Sequence, residues 1–420
     1  MKAITRDGQE MKYSGIEWIG EVPSTWRVCK TLYGLSMPIT DGPHTTPELY
    51  AEGVPFVSAE AVSTGNGSID FSHIRGYVSE EFYQECSKKY IPQREDIYMI
   101  KSGATTGKVS IVDTDRKFTI WSPLAVFRVN NERIISKYLF YYIQSEAYQK
   151  QVELNWSYGT QQNIGMRVLE QLKICMPVLD EQKNIANYLD DRCSKIDAII
   201  AEAKASIEEY KELKQAVIYE AVTKGLDKNV EMKDSGIEWI GKIPKTWEKI
   251  RIKYVLQIEN GSDPLMEGEI PVYGSGADSF KTCGEFKNGP TVLLGRKGAT
   301  LHIPHYIEGK YWNVDTAFNT LIKFSQSINM KYFYYLATCF DYKRYMSQTT
   351  LPSMTQTAYN NMIIPYPSYS EQNKIVQYLE QKLQQICMVI SQKQSLIEEL
   401  ESYKKSLIYE VVTGKRKVVE

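Results

Sequence analysis

The stretch EQKNIANYLDDRCSKIDAIIAEAKASIEEYKELKQAVIYEAVT, Glu181 to Thr223, reads as one unbroken helix, and it occurs a second time from Glu371 to Thr413. Four matched blocks fix the offset at 190 residues: Glu181-Gln182 with Glu371-Gln372, Tyr188-Leu189 with Tyr378-Leu379, Ile207-Glu208-Glu209 with Ile397-Glu398-Glu399, and Ile218-Tyr219-Glu220 with Ile408-Tyr409-Glu410. In the first copy Ile185, Leu189, Ile196, Ile199, Ala203, Ile207, Tyr210, Leu213, Val217 and Ala221 recur at steps of three and four, the spacing of a coiled-coil seam. Ile375, Leu379, Leu383, Ile386, Val389, Ile397, Leu400, Leu407 and Val411 repeat the register, with Glu, Lys and Gln on the remaining faces. At 1.5 Å per residue each helix is roughly 60 Å long, which requires a packing partner along its length. The economical partner is the other copy, in antiparallel pairing. Asp180 and Ser370 are the expected N-caps, and Gly225 and Gly414 the expected stops.

A second repeated piece precedes each helix. MKYSGIEWIGEVPSTW, Met11 to Trp26, and MKDSGIEWIGKIPKTW, Met232 to Trp247, share twelve of sixteen positions. Their offset is 221, so the intervening material is 221 − 190 = 31 residues longer in the first half. Ile16, Trp18, Ile19 and Trp26 have the composition of a hydrophobic clasp, with ligand stacking by the tryptophans as the alternative. Between clasp and helix lie two divergent segments. Arg27 to Asp180 carries β-branched and aromatic runs (KVSIV, FTIWSPLAVFRV, LKICMPV) and a predicted helix over Ser136 to Gln151. Glu248 to Tyr369 carries TVLLG, NTLIKF and MIIPYP, with a helix from about Asn329 to Met346. The expected fold is therefore α+β: two β-rich domains joined through two long antiparallel helices in a pseudo-two-fold tandem repeat. Its segments are 11–180, a helix over 181–225, 232–370, and a helix over 371–415.

Because helix one leads directly into clasp two, that clasp must sit at the helix's carboxyl end. A two-fold repeat would then place clasp one at the carboxyl end of helix two, with Trp18 or Trp26 as near Tyr409 as Trp239 or Trp247 is to Tyr219.

Composition narrows the function. The 420 residues carry 43% hydrophobic and 24% charged side chains and a net charge of −1, so nothing global argues for nucleic acid, and any DNA affinity must come from local basic faces. No apolar run approaches the ~20 residues of a membrane span and the first residues are polar, which favours a cytoplasmic protein. Seven cysteines with no CxxC pair read as reduced thiols. Sixteen prolines include no Pro-Pro pair, so the Asn/Asp-Pro-Pro-aromatic loop of an adenine methyltransferase is missing. Asp180-Glu181-Gln182-Lys183 imitates a nuclease cluster but sits at a helix start, where capping and the helix dipole account for it. His302 and His305 lack nearby cysteines at metal spacing.

What remains is polar, basic and aromatic residues in loops. Ser102-Gly103-Ala104-Thr105 in YMIKSGATTGKVSIV matches Lys297-Gly298-Ala299-Thr300 in LLGRKGATLHIPHYI, each between apolar strands. The first passes for a phosphate loop, yet only three residues separate Gly103 from Gly107-Lys108 and Val109 occupies the Ser/Thr position, so a hairpin turn is the plainer reading. Asp41 to Glu48, Asn155 to Asn163 and Ser347 to Gln356 are further polar loops. Lys101, Thr105, Lys108, Tyr158, Gln161 and Asn163 in the first domain, and Arg296, Lys297, Thr300 and Gln348 in the second, are side chains able to read base edges or grip phosphate. They are also ordinary loop residues.

The two GIEW-I-G-x-x-P-x-x-W clasps and the two P-x-x-x-E-Q-x-x-I-x-x-Y-L helix openings, carried by Pro177 with Glu181-Gln182 and Pro367 with Glu371-Gln372, resemble the specificity subunit of type I restriction-modification systems over nearly the whole chain. The resemblance implies a non-catalytic subunit whose two target-recognition domains each read one half of a bipartite DNA sequence, with the helices as spacer and docking surface. It implies double-stranded DNA, two modification subunits and restriction subunits as partners. S-adenosylmethionine and ATP with Mg²⁺ would belong to those partners, with no cofactor or metal on this chain. The rival readings are a coiled-coil adaptor between two protein-binding domains and a self-sufficient DNA-modifying enzyme, the latter opposed by the missing motifs.

Overall fold

A computed structural model describes the chain except residues 7–9, 159–161, 277, 348–351 and 420, and the side chain of Tyr158. It divides into two compact units, Met1–Glu202 with Leu396–Glu420, and Ala203–Ser395. Both expected long helices form, as Leu179–Lys224 and Tyr369–Val412. Each contributes to both units.

The helices start two residues earlier than expected. Asp180 and Ser370 lie in the first turn rather than at the cap; in the second helix Ser368 takes the cap, its Oγ accepting from Glu371 N at 3.3 Å. The repeated Gln explains the shift. Gln182, fully buried, donates from Nε2 to Pro177 O at 2.9 Å and to Arg133 O at 3.1 Å while its Oε1 accepts from Ile135 N at 2.8 Å. Gln372 repeats this with Pro367 O at 3.0 Å and Asn329 N at 2.7 Å. The side chain thereby ties the preceding proline and the domain's own helix to the long helix, satisfying backbone groups that burial would otherwise leave unpaired.

In the first unit Lys404 Nζ meets both Asp197 oxygens at 2.6 Å. In the second, Lys214 Nζ reaches Cys387 Sγ at 3.8 Å and Lys393 lies 6.0 Å from the Tyr210 ring, so rising numbers on one helix meet falling numbers on the other and the pairing is antiparallel. Most of the expected seam is buried, Ile185, Leu189, Ile196, Ala203, Ile207, Ile375, Leu379, Leu383, Ile386, Ile397, Leu407 and Val411 among it. Ile199 and Leu213 are each 46% exposed, while Cys193, Ile200 and Ile218 are buried instead. A straight helix drifts by about 20° per heptad against a 3.5-residue stripe, and over this length the drift moves the contact line by one position.

The clasps are two-stranded hairpins, Met11–Tyr13 with Glu21–Pro23 and Met232–Asp234 with Lys242–Pro244. Ser14 N bonds Gly20 O at 2.8 Å and Ser235 N bonds Gly241 O at 2.9 Å, and Gly20 and Gly241 hold φ of +66° and +69°, a conformation a side chain would strain. Trp26 and Trp247 are 1% exposed, so their role is packing and not ligand stacking. Each clasp closes on a helix end as the repeat requires. Tyr409 Oη donates to Trp18 O at 2.8 Å in the first unit, and Tyr219 Oη donates to Trp239 O at 2.9 Å in the second. Lys415 Nζ donates to Ile19 O at 2.7 Å and Lys224 Nζ to Ile240 O at 2.8 Å. The first unit adds a ribbon in which Lys2–Thr5 pairs antiparallel with Arg416–Val419, and places Arg6 and Trp26 Nε1 (3.0 Å) on the Glu181 carboxylate. Glu181 is thus a clasp residue as well as an acidic first-turn residue.

Both domains hang from the same frame. Arg27–Lys30 pairs with Lys173–Met176, and Glu248–Arg251 with Ile363–Tyr366, so the strand leaving each clasp meets the strand entering the helix. Inside each domain is a four-stranded antiparallel sheet. The order is Thr40–Asp41, Leu124–Phe127, Ile97–Ile100, Val109–Ile111 in the first and Leu256–Asn260, Ala317–Ile322, Thr291–Gly295, His305–Ile307 in the second. A second sheet accompanies it, three-stranded in the first domain and four-stranded in the second, built on the parallel pairs Val54–Val57 with Thr119–Ile120 and Ile270–Tyr273 with Lys310–Asn313. The first domain inserts helices Ala59–Thr64 and Glu80–Ser87 between Val54–Val57 and Ile97–Ile100, where the described residues of the second have none. The helix expected over Ser136 to Gln151 is two, Ser136–Gln144 and Glu146–Asn155, broken at Ser145, whose ψ of 153° is extended. In the second domain Met330–Ala337 ends early, with Thr338 Oγ1 donating to Tyr335 O at 2.7 Å at its end, and Tyr342–Arg344 forms a 3₁₀ turn.

Candidate functional site

The Gly-Ala-Thr echoes are hairpin loops. In the first domain Ile97↔Ile111 and Met99↔Val109 pair on either side of Lys101 to Lys108; in the second Thr291↔Ile307 and Leu293↔His305 flank Arg296 to Pro304. Gly103 and Gly298, at φ +104° and +113°, take the left-handed turn. No phosphate-loop arrangement is present in the first.

Each hairpin loop is stapled to the second polar loop of its own domain. Gly103 N donates to Gln162 O at 3.0 Å, Ile164 N donates to Lys101 O at 2.9 Å, and Ser102 bridges Asn163. The second domain reproduces all three: Gly298 N to Pro352 O at 3.1 Å, Met354 N to Arg296 O at 2.8 Å, and Lys297 bridging Ser353. Segments about sixty residues apart in sequence therefore form one surface in each domain. The four-stranded sheet positions the hairpin, and the loop before the frame strand covers its flank.

Of the sequence candidates, Lys101, Thr105, Lys108 and Asn163 come together in the first domain, and Arg296, Lys297 and Thr300 in the second. Gln161 and Gln348 lie outside the described residues, as does the side chain of Tyr158, whose backbone forms the strand Ser157–Tyr158 beside Gln162–Asn163. Lys108, Asn163 and Lys297 are exposed, and Thr105 and Thr300 half-buried. Lys108 Nζ lies 3.4 Å from Ser63 O, and Lys297 Nζ 3.9 Å from Asp315. Two of the candidates are drawn inward. Arg296 is not an open turn residue: it is half-buried, donates from Nη1 to Asp315 O at 3.2 Å and lies 5.9 Å from the Phe318 ring centre. Lys101 is only 12% exposed and turns inward to Asp41 at 3.4 Å.

Asp41, 1% exposed, is the site residue that sequence reading placed in a loop without a role. Its carboxylate faces Lys89 and Lys101 and, at 3.2 Å, His44 Nε2. A cavity of about 310 Å³ lies beside it, lined by Phe82, Cys86, Lys89, Tyr90 and Thr119. Burial pushes the Cys86 thiol and the Tyr90 hydroxyl up, so both are neutral at physiological pH. Asp41 and its neighbours could not be found from spacing, because 41, 89 and 101 lie on three separate segments.

Elsewhere, His302 and His305 belong to the second hairpin and its following strand, and burial lowers the His305 pKa. All seven cysteines are free thiols, with burial raising Cys193 to about 12 and Cys175 to about 11. No described helix is long and apolar enough to cross a membrane.

Each domain of this tandem α+β repeat presents one stapled loop pair, and among the described residues no group of three or more His, Cys, Asp and Glu could hold a metal ion. The family model for the type I restriction modification DNA specificity domain matches residues 44–209 and 244–400, most of the chain, and the chain belongs to that family. It is 30% identical over 254 residues to the putative type I restriction enzyme MjaX specificity subunit of Methanocaldococcus jannaschii (59% of this chain, 57% of that one). It is 27% identical over 191 residues to the MjaVIII specificity subunit of the same organism (45% and 42%). The chain thus matches about half the length of these curated relatives. Two solved structures share the fold. One, from work on complex assembly and conformational transition of the type I R-M system, has a TM-score of 0.72 at 16% identity and covers 94% of this chain and 99% of its own. The other, the HsdS subunit from Thermoanaerobacter tengcongensis, has a TM-score of 0.54 at 15% identity, covering 94% and 98%.

Proposed function

We propose that this chain is the DNA-recognition subunit of a type I restriction-modification complex, each domain reading one half of a bipartite target. The observation that carries this is the duplication of one loop pair: two domains with divergent sequences staple a basic hairpin to a polar loop by the same three backbone contacts. A frame held constant around variable loops suits recognition of two different half-sites. Lys108 and Lys297, exposed, suit phosphate contact, and Asn163 and the loop threonines suit base edges.

The long helices serve as the spacer between half-sites and as docking surface for two modification subunits, with restriction subunits joining the assembly. The chain itself is non-catalytic and cytoplasmic, and binds no cofactor; S-adenosylmethionine and ATP with Mg²⁺ act on the partner subunits. A net charge of −1 accords with modification subunits supplying much of the phosphate contact. The test is a gel-shift series on duplex DNA across salt concentrations, with and without modification subunits. Sequence-selective, salt-dependent binding that strengthens in the assembly is expected. An adaptor would bind proteins and leave DNA unshifted under every condition, and a self-sufficient enzyme would methylate DNA alone.

A further inference from the structure

We propose that Asp41 is a positioning residue for the first recognition surface, holding the hairpin loop Lys101 to Lys108 in its reading orientation through Lys101. This rests on the reading that the hairpin meets DNA.

Lys101 stands at the root of that hairpin with its backbone fixed on both sides, N donating to Pro123 O at 2.8 Å and O accepting from Ile164 N at 2.9 Å. Its side chain turns away from the loop tip and ends 3.4 Å from Asp41 Oδ2. Asp41 is itself fixed by strand pairing with Ala125. Its other oxygen is held by Lys89, which follows the inserted helix Glu80–Ser87. One buried carboxylate therefore joins three segments, the Thr40–Asp41 strand, the insertion and the hairpin root.

The electrostatics make the arrangement unforgiving. Two lysine ammonium groups and the His44 ring surround one carboxylate that is 1% exposed; Lys89 bonds Oδ1, while Oδ2 has no hydrogen-bond partner and faces Lys101 at 3.4 Å and His44 Nε2 at 3.2 Å. Replacing the carboxylate with an amide leaves two like charges facing a neutral group in a partly desolvated place, and Lys101, at 12% exposure, has the most to gain by swinging out to water. The hairpin root then loses its inward anchor while gaining a mobile surface cation.

The second domain lacks the device. Asn260, exposed and neutral, ends the strand matching Thr40–Asp41, and Arg296 at the matching root is satisfied by Asp315 O. The carboxylate and the insertion occur together in one domain only. The dependence on Asp41 should therefore be confined to the half-site read by that domain.

The experiment uses the full chain assembled with its modification subunits, and measures binding to the cognate duplex and to duplexes mutated in one half-site at a time. Asp41→Asn should weaken cognate binding about tenfold and leave non-cognate binding equal or tighter, collapsing discrimination at the first half-site with the second untouched. Lys101→Met, which keeps the stem and removes the charge, should lose the same discrimination, and the double variant should be no worse than Asp41→Asn alone. Lys108→Ala with Thr105→Ala is the control for the underlying reading. If that control alters DNA binding but Asp41→Asn and Lys101→Met keep full discrimination, or the two effects simply add, the positioning role is wrong. If the control changes nothing, the hairpin does not meet DNA. Should Asp41→Asn not fold, Lys101→Met alone decides, since preserved discrimination in it overturns the proposal.

Discussion

Gln182→Met removes three hydrogen bonds while keeping the side chain's length and most of its volume. The Pro177 and Arg133 carbonyls and the Ile135 amide lose a buried partner, at 2.9, 3.1 and 2.8 Å in the folded protein. A buried backbone group left unpaired costs about 1–3 kcal/mol, and the lower end applies because Ile135 and Arg133 lie in partly buried surroundings, so the loss is about 3 kcal/mol. Gln372→Met removes two such bonds and should cost about 2 kcal/mol. For a unit of this size the first figure corresponds to a fall in Tm of about 6–12 °C. Urea unfolding followed by circular dichroism gives both values, and an unchanged slope shows that the same surface is exposed on unfolding. A loss below about 1 kcal/mol in both variants would refute the staple as what joins domain to helix, and a larger loss at Gln372 than at Gln182 would refute the bond-by-bond reasoning.

Three further outcomes follow from particular contacts. Burial holds the Tyr138 and Tyr332 hydroxyls well above the usual 10, so each favours the folded state fully below pH 10 and stability is lost as pH rises beyond it; Tyr138→Phe and Tyr332→Phe should each lessen the fall in stability above pH 10 read by urea unfolding, and an unchanged pH dependence in both would contradict the burial. Lys297→Ala should weaken binding evenly across DNA sequences and lower the salt slope by about 1, whereas Arg296→Ala, by stripping Asp315 O and the Phe318 face, should also reduce stability of the second unit; equal effects of the two on stability would count against the assigned geometry. Inserting a few residues near Ala203 should lengthen the gap between half-sites without changing their bases, and a variant with altered bases and an unchanged gap would remove the spacer role.

Much of this was legible because it was written twice. The duplication gave the two long helices, the two clasps and the closure of clasp one onto Tyr409, which no local pattern implies; only the two-fold argument placed Trp18 there, and the Tyr409 to Trp18 bond matches Tyr219 to Trp239. Local rules failed where a tertiary contact outranked them. Asp180 and Ser370 are good caps, but the Gln182 and Gln372 bonds to the preceding prolines carry the helix two residues further back. Ile199 fits the seam by spacing and loses to Ile200 through helical drift. The inward posture of Lys101 and Arg296 was not legible, since a charged loop residue reads as exposed until its partner, Asp41 or the Asp315 carbonyl, is seen beside it. The joining of the hairpin to the second polar loop rests on backbone bonds, which leave no trace in residue type.

Two independent reading heads on one frame can be tested by exchanging residues 27–180 for the equivalent segment of a relative with a different target, since both ends of that segment sit at the frame strands Arg27–Lys30 and Lys173–Met176. Genome-wide mapping of methylated adenines in cells carrying the hybrid with its modification subunits gives the recognised sequence directly. One half-site is expected to change to that of the donor, with the other half-site and the spacing retained; loss or alteration of both half-sites would show a single composite reading surface and contradict the account.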